Sequence, residues 1–302
     1  MTGTLTGERR AQRLTIALFL LPAAALLGLF VVWPIGGAAQ LSFFDWNGVD
    51  EVRRYVGLSN WRTLVADPIF WRALRNNLAI VGLSIVFQLP IAMALAALLE
   101  RGGRGLRVHR VVYVFPMLMS TVAVGILFKY VLDPQFGLAN AMLRAVGLGS
   151  LARNWLGEPH LALAAVVGVV SWQWIPFYML LFYAALAALP ADLREAALLD
   201  GATETQYFFR VALPLMKGTA RTACVLSLVG SLKYFDLVWV MTEGGPSHAS
   251  ELMATYMYKK AFSAFDMGYG STIATAMFVI VMGAGLFSVW LTSRGDEPGG
   301  AA

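Results

Sequence analysis

Long apolar runs recur along the chain and set its expected architecture. A helix rises about 1.5 Å per residue, so about 20 apolar residues cross the roughly 30 Å hydrocarbon layer of a membrane. Runs of this size cover Leu14 to Gly36, Asn76 to Leu99, Val111 to Leu132, Leu161 to Leu186, Thr222 to Met241 and Ser271 to Thr292. The pattern predicts an all-α membrane protein with six transmembrane helices.

These runs also divide the chain. We expect residues 1–13 to form a cytoplasmic N-terminal tail, residues 14–292 a six-span domain, and residues 293–302 a disordered cytoplasmic tail. An even number of spans puts both termini on one side, and cytoplasmic loops carry an excess of Lys and Arg. The densest basic loop, ERGGRGLRVHR at residues 100–110, favours cytoplasmic termini, although the loop before the second run also carries five arginines.

The composition agrees with a membrane protein. Hydrophobic residues make up 58% of the chain and charged residues 14%, with a mean hydropathy of +0.66. The net charge of +5 is not accompanied by a basic run or a base-stacking motif, so nucleic acid is not an expected partner. Basic loops that face anionic membrane lipid explain the excess better.

One polar stretch, EAALLDGATETQYFFRVALP at residues 195–214, interrupts the apolar pattern between the fourth and fifth runs. Asp192 to Glu195 and Thr203 to Gln206 both fit a capping box, and Gly201 stands where a helix end often needs a left-handed residue. We therefore predict two short helices joined at Gly201. Such a unit could lie on the membrane surface or insert into a groove of a partner, and composition does not choose between them.

This stretch resembles the EAA loop of the inner-membrane permease subunits of binding-protein-dependent ABC importers. The matching positions are Glu195, Ala196, Ala197, Asp200, Gly201, Ala202, Leu213 and Pro214. MTEGGPSHASELMATYMYKKAF is similar to the T-x-G-G-P pattern of the carbohydrate subfamily, of maltose and glycerol-3-phosphate type, and YVGLSNWRTLVADPIFWRALRNNL matches a third pattern. Gly218 departs from the second proline of many relatives, which we expect to loosen only the start of span five.

The resemblance implies a six-span permease that moves a sugar or oligosaccharide into the cytoplasm across a bacterial inner membrane. Residues 187–221 would be its cytoplasmic coupling loop, docked on an ABC ATPase. The implied partners are a second permease, usually a paralogue, two ATPase copies, and an extracytoplasmic solute-binding protein that meets Gly244, Gly245 and Pro246. The chain has no G-x-x-x-x-G-K-[ST] pattern, so it is not expected to be an enzyme or to bind a cofactor, and ATP and Mg²⁺ belong on the ATPase.

Aromatic residues in the fourth run are the first candidates for holding a sugar. Trp172 and Trp174 lie near its middle, with Gln173 between them and Tyr178 one turn beyond. Tryptophan rings beside an amide fit a surface on which a sugar stacks, although ordinary helix packing explains them as well. Each residue turns a helix by about 100°, so Trp174 shares a face with Tyr178 and Trp172 does not.

The fifth run adds Tyr234 and Asp236 as candidates. Lys233 and Asp236 are three residues apart, which predicts neighbours on one helical face, and ionisable groups within a span usually face protein or water. A structural ion pair with a snorkelling lysine is the simpler interpretation of Lys233. Helix-to-helix hydrogen bonds are the expected role of three further polar residues, Gln88, Ser227 and Ser231.

Two other classes of membrane protein remain as alternatives. An ion-coupled secondary transporter would need several carboxylates near the midplane and often a repeat between halves, but Asp236 is the only carboxylate in any run. A membrane scaffold would make the capping pattern and the motif coincidental. The three histidines show no metal-ligand spacing, so no metal site is expected.

Overall fold

The computed structural model describes residues 4–100 and 112–293 and is almost entirely helical, which confirms the all-α prediction. The basic loop, apart from Glu100, and the C-terminal tail, apart from Ser293, lie outside the described residues, as do residues 1–3 and Val111. Length and composition allow four described helices to cross a membrane: Thr15–Leu41, Pro68–Glu100, Pro159–Ala187 and Met267–Leu291. The number rises to six if two bent helix pairs each count as one span.

The bent pairs correct the expectation of continuous helices in the third and fifth runs. Val112–Leu118 and Thr121–Val131 meet at 110°, and Lys217–Leu232 and Asp236–Thr242 meet at 42°. Open backbone at membrane depth is tolerated only where protein or a water-filled cavity satisfies it. At the break in the third run, a side chain of another helix satisfies the open backbone. Gln173 Nε2 donates to the carbonyl oxygen of Met119 at 3.3 Å.

The chain folds as two compact units, of which the first comprises Met1–Ala66 and Met257–Ala276. Its elements are α1 (Thr4–Leu27), a π-helical turn (Gly28–Val32), α2 (Trp33–Leu41), β1 (Phe44–Asp45), β2 (Arg54–Tyr55), α3 (Ser59–Ala66), a π-helical turn (Lys259–Ser263) and the first part of α16 (Met267–Ser293). The two strands pair antiparallel. Asn60 Nδ2 fastens them to α2 by donating to the carbonyl oxygens of Ser42 and Phe44.

The second unit comprises Asp67–Tyr256 and Met277–Ala302 and holds every candidate site residue. Its elements are α4 (Pro68–Leu83), a π-helical turn (Ser84–Gln88), α5 (Leu89–Glu100), α6 (Val112–Leu118), α7 (Thr121–Val131), α8 (Leu138–Ala145), a 3₁₀ turn (Gly149–Leu151), α9 (Pro159–Ala187), α10 (Ala191–Leu199), α11 (Glu204–Tyr207), a π-helical turn (Phe208–Ala212), α12 (Leu213–Leu215), α13 (Lys217–Leu232), α14 (Asp236–Thr242), the first part of α15 (Met253–Tyr258) and the last part of α16.

Local chemistry explains where α4 begins. Asp67 Oδ1 accepts hydrogen bonds from the backbone N–H groups of Ile69 and Phe70 at 2.8 and 3.4 Å. Pro68 occupies the first turn, where its missing N–H costs nothing. The helix continues through the π-helical turn, where the Leu89 N–H donates to the Ser84 carbonyl five residues back.

Small residues let α5 and α9 pack closely in the second unit. Ala92 and Ala96 are one turn apart on α5 and fully buried, in one cluster with Met179 and Phe182 of α9. Side chains of this size allow two helix backbones to approach each other in a membrane. A second buried cluster joins α4, α7, α9 and α14. The two clusters hold α9 along its length.

Candidate functional site

The polar stretch folds as the predicted pair of helices joined at Gly201. Here we call α10, the turn and α11 together the coupling unit, residues 191–207. Gly201 has a φ of +83°, and the Ala202 N–H donates to the Ala197 carbonyl at 3.0 Å. This bond closes the end of α10 as a left-handed glycine normally does.

One of the two predicted capping boxes is present and the other is wrong. Thr203 Oγ1 accepts from the Gln206 N–H at 3.2 Å, and Gln206 Oε1 accepts from the Thr203 N–H at 2.8 Å. The Asp192 to Glu195 pattern does not cap α10, because the helix already begins at Ala191. Asp192 therefore lies in the first turn, where its charge favours the positive end of the helix dipole.

An ion pair that the sequence analysis missed fastens α10 to α11. Arg194 Nε donates to Glu204 Oε2 at 3.2 Å, and Arg194 Nη2 bonds to Glu204 Oε1. The two parallel bonds give the pair a fixed orientation. The hydrogen bond with Glu204 raises the pKa of Arg194 and keeps the guanidinium charged. In the sequence, only the opposite charges of two consecutive short helices could have indicated this ion pair.

The coupling unit has one exposed side and one anchored side. Glu195, Ala196, Asp200 and Gly201 are exposed, as is Pro214 beyond the unit, while Ala197, Ala202 and Leu213 are half-buried. Four apolar side chains also reach the surface, Leu193, Leu198, Leu199 and, beyond the unit, Phe209. Tyr207 faces inward, and burial raises its pKa.

Four of the predicted sugar-site residues line one cavity of about 440 Å³, which we call the aromatic cavity. They are Trp174, Tyr178, Tyr234 and Asp236. Nine of the other residues that line it are Ser84, Gln88, Val170, Phe177, Ser227, Gly230, Ser231, Lys233 and Phe235. The break between α13 and α14 thus opens onto this cavity, where its exposed backbone finds polar surroundings.

Hydrogen bonds between α13 and the second apolar run support the wall of the aromatic cavity. Ser227 Oγ donates to Ser84 Oγ at 2.8 Å, and Ser84 Oγ donates to Gln88 Oε1. Asn77 Nδ2 donates to the carbonyl oxygens of Ser231 and Leu232 at the end of α13. The expected hydrogen bond between helices is present for Ser227, whereas Gln88 bonds to Ser84 within its own helical segment. Both side chains line the cavity.

Trp172 and Gln173 lie outside the lining of the aromatic cavity. The Trp172 ring packs edge-on against Phe128 of α7, with 5.2 Å between ring centroids. Gln173 is 2% exposed, and its Oε1 has no hydrogen-bond partner among the described residues. Helical geometry predicted that Trp174 and Trp172 lie on different faces of one helix, and their positions in α9 agree with this prediction.

The predicted Lys233 and Asp236 pair on one helical face is wrong. Helix α13 ends at Leu232, and Asp236 begins α14 beyond the break. No ion pair joins the two side chains in the part of the chain that the structure describes. Both side chains are exposed, and Asp236 lies in the first turn of its own helix.

The T-x-G-G-P segment encloses a carboxylate. Gly244 is buried with a φ of +79°, and a Cβ there would lie 2.4 Å from Glu251 Oε1. Glu251 has no exposed surface, while Gly245 and Pro246 are half-buried. The structure thus gives Gly244 an internal packing role, which sequence reasoning missed because it considered the glycines without the later glutamate.

A larger cavity of about 590 Å³ contains none of the predicted sugar-site residues. Leu213 and Pro214 line it together with apolar residues, and its charged groups are Lys217 and Arg221. Sugar hydroxyls would find few partners on such walls. The aromatic cavity, with its hydroxyls, amide and aromatic rings, is better suited to a sugar.

Comparison with known proteins identifies the family. A family model described as "Binding-protein-dependent transport system inner membrane component" matches residues 88–293. The chain belongs to this family. It is 36% identical to the probable ABC transporter permease protein YurN of Bacillus subtilis (strain 168), over 93% of this chain and 96% of that protein.

Two further similarities extend this family match. The permease is 30% identical to the sulfoquinovosyl glycerol transport system permease protein SmoG of Agrobacterium fabrum (strain C58), over 90% of this chain and 88% of that protein. Its fold is similar to one chain of a bacterial alginate ABC transporter in complex with an alginate pentasaccharide-bound periplasmic protein. The TM-score is 0.83 at 23% identity, covering 97% of this chain and 99% of that one.

Family membership decides between the classes of protein left open by the sequence. The chain is a membrane permease subunit of an ABC importer, and the alternative of an ion-coupled secondary transporter is not supported. Permease subunits of this family are not enzymes. The resemblance carried by the EAA pattern is confirmed, while the roles of its individual residues stay predictions.

Proposed function

We propose that this permease moves a sugar or oligosaccharide through the aromatic cavity into the cytoplasm. The observation that carries the proposal is the convergence of Trp174, Tyr178 and Tyr234 on one cavity with hydroxyl and amide groups in its wall. Aromatic rings bind the apolar face of a sugar, and convergent polar groups fix its hydroxyls. Sulfoquinovosyl glycerol and alginate, named for similar transporters, are both carbohydrates.

The exposed side of the coupling unit is suited to dock on a cytoplasmic ATPase. Leu199 is 89% exposed and stands beside the exposed carboxylate of Asp200. An amphipathic helix that offers apolar anchors with charged neighbours fits a groove of a partner protein. The Arg194 and Glu204 bonds hold the two short helices together, so a force on one is passed to the other.

A continuous packed path leads from the coupling unit to the aromatic cavity. Tyr207 belongs to the same buried cluster as Leu186, Phe182 and Tyr178, which follow one another along α9. Tyr178 also lines the aromatic cavity. Packed interiors transmit displacement because they contain few voids. ATP-driven closure of the ATPases would therefore move α9 and change the width of the cavity.

The remaining partners are inferred from the family and from this arrangement. We infer that the coupling unit and both termini face the cytoplasm, and that a second permease, usually a paralogue, completes the pathway. Two ATPase copies would bind ATP and Mg²⁺, while this chain binds no cofactor. A solute-binding protein would deliver the sugar at the opposite side, near Gly245 and Pro246. The alginate importer was solved with such a periplasmic protein.

Transport by the reconstituted complex tests the proposal. The permease would be purified with its ATPase, its second permease and its binding protein, placed in vesicles, and supplied with a panel of radiolabelled neutral and acidic oligosaccharides. We expect ATP-dependent uptake of at least one of them. Uptake without ATP that follows a proton or sodium gradient, or ATP-driven uptake of amino acids with no saccharide taken up, would contradict the proposal.

A further inference from the structure

A second polar cavity, of about 530 Å³, lies where α4 and α9 begin and the segment after α14 passes. We call it the arginine pocket. Six residues that line it are Trp71, Arg72, Arg75, Asn76, Pro159 and Ala249. The coupling unit follows the other end of α9, so the proposed orientation places this pocket on the side where solute arrives.

The two arginines give the pocket a positive charge, and its described lining contains no carboxylate. Neither Arg72 nor Arg75 forms an ion pair with any carboxylate in the described residues. Arg72 Nη1 donates to the Ser247 carbonyl at 3.0 Å, which leaves the remaining N–H groups of its guanidinium for a ligand. Arg75 is exposed.

Nearby acidic groups are engaged elsewhere. Asp67 caps α4 with one oxygen and accepts from the Tyr256 hydroxyl with the other, at 2.5 Å. Glu158 accepts from the Asn154 N–H and lies 3.3 Å from His160. Glu251 is buried against His248. None of these carboxylates belongs to the described lining of the pocket.

The walls of the arginine pocket fit a polar ring better than a lipid chain. Its lining contains no leucine, isoleucine or valine, so an acyl chain would find no apolar groove to follow. Trp71 leaves half of its surface exposed beside the guanidinium groups. Asn76 is held by bonds from its Nδ2 to the carbonyl oxygens of Ala249 and Glu251.

The geometry points to the arginine pocket as a binding site for the acidic group of an anionic saccharide, a carboxylate or sulfonate, with Trp71 against the sugar ring. A guanidinium matches such a group through two parallel hydrogen bonds. This inference rests on the proposed function and adds to it a preference for acidic sugars. Asn77 follows Asn76 of the arginine pocket on α4 and donates to the carbonyl oxygen of Ser231, which lines the aromatic cavity. Helix α4 therefore connects the two sites.

The test compares an acid with its uncharged ester. Trigalacturonate and its trimethyl ester would be titrated calorimetrically into the assembled importer in phosphatidylcholine nanodiscs. We expect the acid to bind at least tenfold more tightly than the ester, and Arg75→Gln to remove this difference. Arg75→Lys should restore only part of it, because an ammonium cannot form the two parallel bonds. Arg62→Gln, at an exposed arginine outside the pocket, is the control and should bind as the wild type does.

Three results would overturn the inference. They are equal affinity for acid and ester in the wild type, an acid preference that survives Arg75→Gln, and an Arg75-dependent retention of phosphatidylglycerol in mass spectra that blocks trigalacturonate binding. The last result would assign the pocket to lipid. Uptake separates the two proposals: a wild-type importer that moves neutral saccharides without acid preference argues against the pocket alone, whereas failure to move any saccharide argues against the proposed function.

Discussion

His248 Nδ1 lies 2.7 Å from Oε2 of Glu251, a carboxylate with no exposed surface in the loop after α14. Thr255 Oγ1 donates to the other carboxylate oxygen at 2.6 Å. A buried carboxylate is costly unless hydrogen bonds compensate its lost hydration. These two partners, together with the closely packed Gly244, make Glu251 the centre about which the loop is folded.

Removal of this carboxylate should destabilise the loop. We expect Glu251→Ala to lower the midpoint of thermal unfolding, since each buried group left without a partner costs about 1–3 kcal/mol. Glu251→Gln should cost less because its amide oxygen still accepts from Thr255. The measurement is thermal unfolding of the purified protein in detergent, with the exposed Glu243→Gln as control. Equal midpoints for the alanine variant and the control would contradict the role of Glu251.

Two left-handed glycines should respond differently to alanine. Gly201 and Gly244 have φ values of +83° and +79°, so alanine at either costs about 1–2 kcal/mol from the backbone alone. A Cβ at Gly201 meets nothing within 4 Å, whereas at Gly244 it would clash with the Glu251 carboxylate. Gly244→Ala should therefore unfold at a clearly lower temperature than Gly201→Ala. An equal decrease in unfolding temperature for both variants would contradict this prediction, because it would show that the loop around Glu251 moves to accommodate the added methyl group.

Changes in the coupling unit should abolish transport without unfolding the permease. Glu195→Lys reverses a charge on the exposed face, and Gly201→Pro forces a φ near −65° where +83° is required. Both variants should insert and assemble normally but lose sugar-stimulated ATP hydrolysis and uptake. Membrane yield, ATPase activity and uptake would be measured together. Normal stimulation and uptake in both variants would disprove the coupling role.

The Arg194 and Glu204 pair permits a charge-swap test. Arg194→Glu and Glu204→Arg should each weaken coupling, because like charges then face each other between α10 and α11. The double variant restores an opposite pair across the same distance and should recover a large part of the uptake. Each rate would be normalised to the amount of assembled complex. A double variant no better than the worse single one would argue that the pair does not set the arrangement of the two helices.

Alanine at Trp174 and alanine at Trp172 should affect different properties of the permease, uptake in the first case and the yield of assembled complex in the second. Trp174 lines the aromatic cavity, so Trp174→Ala should reduce uptake at a normal yield of assembled complex. Trp172 is 40% exposed but packs against Phe128, so its truncation should cost only part of the about 3–5 kcal/mol lost at a fully buried aromatic residue, and it should lower the yield instead. Uptake and yield would be read for each variant side by side. Normal uptake by Trp174→Ala would remove this residue from the pathway.

The lengths of the apolar runs were enough to predict an all-α membrane fold. The polar stretch between the fourth and fifth runs was enough to predict the two short helices of the coupling unit. The shared face of Trp174 and Tyr178 also followed from helical geometry, because both belong to the uninterrupted helix α9. The capping box at Thr203 was equally local, since its two partners lie three residues apart. Local features were therefore accessible where the helix begins as expected, whereas the Asp192 to Glu195 box failed because α10 already begins at Ala191.

The breaks in the third and fifth runs were not accessible in this way. Hydropathy averaged over a span does not register a few residues that leave the helix. Asn77 satisfies the carbonyls of Ser231 and Leu232, and it lies more than 150 positions away along the chain. The prediction for Lys233 and Asp236 failed for the same reason, because it assumed an unbroken helix. Glu251 was missed because its partners are brought together only by the fold of the loop.

The π-helical turn at Ser84–Gln88 places one more residue in its helix than regular winding would use. Each residue advances a helix by about 100°, so this extra residue sets the rotational phase of all of α5 that follows. Deleting one residue there would swing Ala92 and Ala96 away from α9 while leaving every core side chain in the sequence. The length of this segment is thus as strict a requirement as its composition, and a single-residue gap here would change the packing as much as a core substitution.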